Sequence, residues 1–136
     1  MAEPEIDENR SISEKPLLDK LGVRSESRAS VLGVYDQEFL ALLRTRVVDV
    51  ASRARKDSDL IFVSVERRED LARLVDLEPS IERSGAIWLV FPKGRKEIRE
   101  VDVIAAGLSA GLVDNKVVRL SDSHTALRFV VPLSRR

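Results

Sequence analysis

The sequence predicts an α/β fold, a three-layer sandwich around a mostly parallel six-stranded sheet with an antiparallel last strand, and three observations carry that reading. An apolar run over 86–91 (Ala-Ile-Trp-Leu-Val-Phe) ends at Pro92-Lys93 and leads into a helix striped by Ile98, Val101, Ile104, Ala105 and Leu108; strand followed by amphipathic helix is the repeating unit of a parallel sheet. Residues 60–65 (Leu-Ile-Phe-Val-Ser-Val) are rich in β-branched and aromatic side chains and apolar almost throughout, which suits a central strand. The last two strands, 115–120 and 126–131, are separated only by 121–125, too short for a parallel crossover, so they pair antiparallel.

The remaining elements follow in chain order. Residues 15–22 have Pro16 near a helix start, leucines at spacings of three and four and Gly22 at the stop, and read as a short lid helix. A buried first strand covers 29–34, a short helix with Phe39, Leu42 and Leu43 on one side covers 38–44, and a second strand covers 47–51. Leu71, Leu74 and Val75 set a helix over 67–77 that Pro79 restarts and Gly85 ends, returning the chain for the parallel strand at 86–91. Gly111 closes the helix that follows. The whole reads as an open, Rossmann-like sheet.

At 136 residues and 43% hydrophobic content, one core and one domain are expected over 15–136. Lys plus Arg and Asp plus Glu number 23 each, so no global basic field draws the chain to nucleic acid or an anionic membrane. Residues 1–14 carry Glu3, Glu5, Asp7, Glu8 and Glu14 against Arg10 alone and read as a solvated, disordered acidic tail. The absence of cysteine removes disulfides, thiolate nucleophiles and thiolate metal sites, and no export or membrane-spanning signal is present, so a cytoplasmic location is expected.

Gly85-Ala86-Ile87-Trp88-Leu89-Val90, together with the passage from Ala106-Gly107-Leu108 to Val117-Val118, resembles the second half of S-adenosylmethionine-dependent methyltransferases, where a pGG turn precedes a strand and an antiparallel pair closes the sheet. That resemblance implies the strand order 2-1-3-4-6-5, numbered along the chain. Leu21-Gly22-Val23, Val31-Leu32-Gly33, Phe91-Pro92-Lys93, Ala110-Gly111-Leu112-Val113-Asp114 and Ala126-Leu127-Arg128-Phe129-Val130 are similar to a family of small bacterial proteins of unknown function. This second likeness spans about residues 15–131 and implies no activity.

In methyltransferases a glycine-rich turn after the first strand lets the backbone approach the cofactor. Here that turn is Leu32-Gly33-Val34-Tyr35-Asp36-Gln37-Glu38, with a single glycine, and neither GxGxxG nor a phosphate-cradling P-loop occurs. Asp36 and Glu38 suit a helix N-terminus and would repel a phosphate there. Asp49, close to the end of the second strand, is the candidate ribose-binding carboxylate, and Lys93 follows a central strand into the crevice at the carboxyl ends of the sheet. With Arg67, Arg68, Arg95 and Lys96, Lys93 is a candidate anion site.

Other residues are assigned structural parts. Ser121, Asp122, Ser123 and His124 are consecutive in a hairpin, poor placement for a nucleophile triad, and read as turn residues. Tyr35, Phe39, Phe62, Trp88 and Phe91 fall mostly in predicted strands as core, which disfavours nucleic-acid stacking; a buried Trp88 requires a partner for its indole N–H. Asp57 with Asp59 and Glu97 with Glu100 do not identify acid–base chemistry.

The leading expectation is a non-enzymatic or degenerate binding module that uses Gly33, Tyr35, Asp49, Arg67 and Lys93 for a small anionic or nucleotide-like ligand or a protein partner. The alternatives are an enzyme that binds S-adenosylmethionine or a nucleotide through an atypical loop, and an oligomer-forming scaffold. Cofactor, partner and oligomeric state are not specified at this level.

Overall fold

In the computed structural model, which describes residues 16–34 and 36–136, the chain begins with a one-turn helix α1 (Leu17–Lys20) and enters the sheet at β1 (Ala29–Leu32). Helix α2 (Gln37–Arg46) and the two-residue strand β2 (Val50–Ala51) follow, then β3 (Ser58–Ser64). A 3-10 turn over Arg68–Ala72 runs into α3 (Arg73–Leu77), a second 3-10 turn at Glu78–Ser80, and the long strand β4 (Ile81–Pro92). Helix α4 (Glu100–Ser109) and the pair β5 (Val113–Arg119) and β6 (His124–Val130) complete the fold.

The sheet order is β2-β1-β3-β4-β6-β5. β1, β2, β3 and β4 are mutually parallel, and β6 runs antiparallel to both of its neighbours, so the reversed strand lies between β4 and β5. The predicted fold class and strand order are both observed.

Side chains alternate across the sheet and make two cores, as a period of two along each strand requires. Phe62, Trp88, Val90 and Ala126 face α1 and α2 together with Leu18, Leu21, Phe39 and Leu43. Ile61, Val63, Ile87, Leu89, Leu127 and Phe129 face the other way, against Leu71, Leu74, Ile98 and Val103 of the opposite helical layer. The Phe39 and Phe62 rings meet edge-on at 5.2 Å and 63°.

Several strand ends shift by two residues, β5 beginning at Val113 and β6 at His124 where the sequence reading begins them at 115 and 126, and three elements differ more. Only Val50 and Ala51 of the predicted second strand pair with β1; Val47 is buried as the cap residue ending α2, and Val48 is fully exposed. The predicted helix over 67–77 is a 3-10 turn plus one α-helical turn, which still buries Leu71, Leu74 and Leu77. Gly85 does not end a helix: it lies inside β4, beside the register shift between Ser58 and Leu60 of β3, where a Cβ would stand 2.6 Å from the Asp59 carbonyl oxygen. The requirement for glycine here is close backbone approach. The acidic segment 1–14 lies outside the described residues.

Candidate functional site

The carboxyl ends of β1, β3 and β4 and the amino end of the reversed strand β6 lie on one edge of the sheet, where open α/β folds bind ligands. At the end of β1, Gly33 takes φ +70°, a left-handed turn that costs glycine nothing, and directs the chain into α2. Asp36 caps that helix, its Oδ1 accepting from Phe39 N at 3.1 Å. Beyond β3, Val65 N donates to the Val90 carbonyl at 2.9 Å, so the chain stays beside β4 and delivers Glu66 to the edge.

The hairpin tip between β5 and β6 arrives from the other side. Leu120 N and Ser121 N both donate to the His124 carbonyl, Ser123 N and His124 N donate to Ser121 Oγ at 3.3 and 3.2 Å, and Lys93 N ties the Ser123 carbonyl to the end of β4 at 2.9 Å. Held in this way, His124 is two-sided. Its Nε2 lies 2.9 Å from Glu66 Oε2 and its Nδ1 lies 2.8 Å from Ser123 Oγ. Glu66 is itself positioned: Ser64 Oγ reaches Oε2 at 3.4 Å, and Arg95 stands 3.8 Å from Oε1 while donating to the Glu66 carbonyl at 3.4 Å.

These groups border a cleft of about 470 Å³ with Gly33, Val34, Asp36, Val90 and Leu120. An adjoining cleft, also about 470 Å³, shares Asp36, Leu120 and Ser123 and adds Glu38, Phe39 and Asp122. Four carboxylates line the two clefts, and neither has a lysine or arginine in its lining among the described residues. On the far side of Gly33 and Val34 a third cleft of about 360 Å³ is lined by Val31, Leu40, Arg44, Val50 and Ser52.

Of the predicted ligand-binding residues Gly33, Tyr35, Asp49, Arg67 and Lys93, only Gly33 lies at this crevice with described surroundings, and Tyr35 lies outside the described residues. Asp49 precedes β2 at the opposite, amino edge of the sheet, where its carbonyl accepts from Ala29 N and its carboxylate pairs with Arg55 at 2.6 Å. Arg67 is exposed beside Glu69, 3.9 Å away. Lys93 lines a separate cleft of about 410 Å³ with Phe91, Arg95, Lys96, Ile98 and Arg99. That cleft opens on the other face of the sheet, since Phe91 and Ile98 belong to the second core and Val90 to the first.

The expected convergence of cations occurs in part and in another place: Lys93, Arg95 and Lys96 share the cleft on the other face with Arg99, whereas Arg67 stands beside Glu69, Arg68 turns to Asp102, and the crevice beside Gly33 is lined by carboxylates. His124 is corrected as well, because consecutive placement does not prevent Ser123 and His124 from touching when the turn folds back on itself. Glu66 was open to sequence reasoning as the first carboxylate past a central strand; its pairing with His124, 58 residues away, was not.

No protein-family model matches this chain, and no curated protein matches it. Among solved structures it is similar to an S-adenosylmethionine-dependent methyltransferase from Aquifex aeolicus, with 15% identity and a TM-score of 0.64 over 85% of this chain and 88% of that one. It is also similar to a TehB-like S-adenosylmethionine-dependent methyltransferase from Corynebacterium glutamicum, with 12% identity and a TM-score of 0.54 over 95% and 96% of the two chains. The fold is that of S-adenosylmethionine-dependent methyltransferases. At such identities the likeness is one of fold, and it runs over most of the length of these methyltransferases. It corrects the expectation of a non-enzymatic or degenerate binding module, because the matching folds are those of methyltransferases and favour the enzyme alternative.

Proposed function

We propose that this chain is an S-adenosylmethionine-dependent methyltransferase whose cofactor lies in the acidic crevice beside Gly33. The observation that supports this reading is the sign of the lining. Asp36, Glu38, Glu66 and Asp122 border the two adjoining clefts with no lysine or arginine in the lining among the described residues; Arg95 and Arg119, which pair with Glu66 and Asp122 at 3.8 and 3.1 Å, stand outside it. Dinucleotides and nucleoside triphosphates bring pyrophosphate or polyphosphate, which carboxylates at this range repel. S-adenosylmethionine brings a sulfonium, an ammonium and no phosphate.

The residues present fit that group. Gly33 leaves the turn free of a side chain, Asp36 offers a carboxylate to its cationic centres, and Ser52 offers a hydroxyl, beside Arg44, in the cleft beyond Val34. When bound, S-adenosylmethionine supplies an electrophilic methyl group. Val34, Val90 and Leu120 keep the floor of the crevice apolar, which strengthens each charge interaction above it. Lys93, on the other face of the sheet, has no part in holding the cofactor.

Isothermal titration calorimetry on the full chain tests this, with S-adenosylmethionine, ATP and NAD as separate titrants. Saturable heat with S-adenosylmethionine alone is expected, weakened about tenfold or more in Asp36→Asn as one charge interaction of roughly 1.4 kcal/mol is lost. Silence with S-adenosylmethionine, or tighter binding of ATP, overturns the reading.

A further inference from the structure

We propose that Ser123, His124 and Glu66 form a proton-accepting centre for a neutral, hydroxyl-bearing methyl acceptor, an alcohol or a phenol. The inference rests on the cofactor reading above and names the substrate class of the same site. It starts from the direction of two hydrogen bonds. A carboxylate only accepts, so the 2.9 Å contact places a proton on His124 Nε2, directed at Glu66 Oε2. The neutral imidazole then has its lone pair on Nδ1, where Ser123 Oγ–H donates at 2.8 Å. A hydroxyl donating to a base that a third group orients is the arrangement by which proteins move a proton away from oxygen.

The surroundings choose the acceptor. Ser123 also borders the adjoining cleft, which has Leu17, Phe39, Leu42 and Leu120 in its wall and Asp36, Glu38 and Asp122 as its charges, so an acceptor there meets Ser123 Oγ with the cofactor beside Gly33. An apolar wall takes an apolar body, and the carboxylates disfavour an anion. Thioether and tertiary-amine acceptors have no proton to lose and need no base, whereas a hydroxyl must lose its proton as it is methylated.

The step balances as follows. The acceptor's oxygen forms a bond to the methyl carbon while the bond from that carbon to sulfur breaks, leaving its electron pair on sulfur. The acceptor's proton passes to Ser123 Oγ, and the Ser123 proton passes to His124 Nδ1. The imidazolium that results keeps its Nε2–H on Glu66, whose opposite charge stabilises it. Ser123 and His124 are the catalytic groups, and Glu66 is a positioning residue.

His124 is the sole histidine of the chain, so its ring nitrogens give one set of signals in long-range proton–nitrogen NMR spectra. The Nε2–H form is expected in the wild type, with a shift toward a mixture of tautomers in Glu66→Gln. An Nδ1–H form in the wild type, or an unchanged spectrum in Glu66→Gln, overturns the assignment. The second arm measures transfer of a labelled methyl group to phenol, catechol and benzyl alcohol by the full chain, with S-adenosylmethionine binding followed separately by calorimetry. Transfer to at least one of these probes is expected, falling about 100-fold or more in His124→Gln and in Ser123→Ala while S-adenosylmethionine affinity and melting temperature stay near wild type. Binding without transfer to any probe, or wild-type transfer in either variant, overturns this inference alone. Failure of the wild type to bind S-adenosylmethionine overturns the cofactor reading and this inference with it.

Discussion

The indole Nε1 of Trp88 donates to the backbone carbonyl of Leu21 at 3.0 Å, fastening the middle of the sheet to the residue that ends α1. Both residues are fully buried, so no water replaces the bond if it is lost. Trp88→Phe removes the donor and strands the Leu21 carbonyl, at a cost of about 1–3 kcal/mol. Urea denaturation followed by far-ultraviolet circular dichroism should show the lower midpoint. Since Trp88 is the only tryptophan, wild-type unfolding can also be followed by its fluorescence.

Gly85 should tolerate no side chain. Its missing Cβ would stand 2.6 Å from a backbone oxygen of β3, and backbone inside a sheet cannot swing aside as a surface side chain does. Gly85→Ala is expected to destabilise by about 1–3 kcal/mol, as overpacking does. A melting temperature equal to wild type would show that the bulge at Ser58–Leu60 relaxes without cost.

Asp36 combines a cap and a charge, and two substitutions separate them. Asp36→Ser keeps a hydroxyl to receive Phe39 N and should leave stability within a few tenths of a kcal/mol, whereas Asp36→Ala should cost about 1 kcal/mol. Both lose the carboxylate and should lose S-adenosylmethionine affinity equally. Unequal losses would show that helix integrity rather than charge governs binding.

Asp49 and Arg55 should affect stability and leave ligand affinity unchanged. Arg55 donates to the Ala29 and Asp49 carbonyls as well as to the Asp49 carboxylate, so Arg55→Ala removes three side-chain hydrogen bonds and should cost about 2 kcal/mol. Asp49→Asn should cost less than about 1 kcal/mol, because the carboxylate is half-exposed. Unchanged S-adenosylmethionine affinity in both variants is the expected calorimetric result.

What was legible in the sequence followed the strength of local signals. β3 and the second half of β4 were read correctly because continuous β-branched and aromatic runs admit few other structures. The first half of β4 was not, because Glu82-Arg83-Ser84-Gly85 has weak strand propensity and Pro79 suggests a helix start; tertiary pairing with β3 overrides both. Asp49 was placed at the wrong edge because the second strand is two residues long, so the shift of its start moved the carboxylate to the amino end. The His124–Glu66 contact depends on the register of an antiparallel pair in which Pro92 stands opposite His124, and no local pattern encodes such a register.

The reversal of β6 lets the tip of a tight hairpin reach the same rim that the parallel strands reach with their carboxyl ends. Nothing in either core depends on the identity of Ser123 or His124, whose backbone is held by Ser121, Leu120 and Lys93. The tip therefore behaves as an exchangeable cartridge: new residues can be written into it without repacking the sheet, so variation in this chain's chemistry should concentrate in these few positions while the scaffold stays constant.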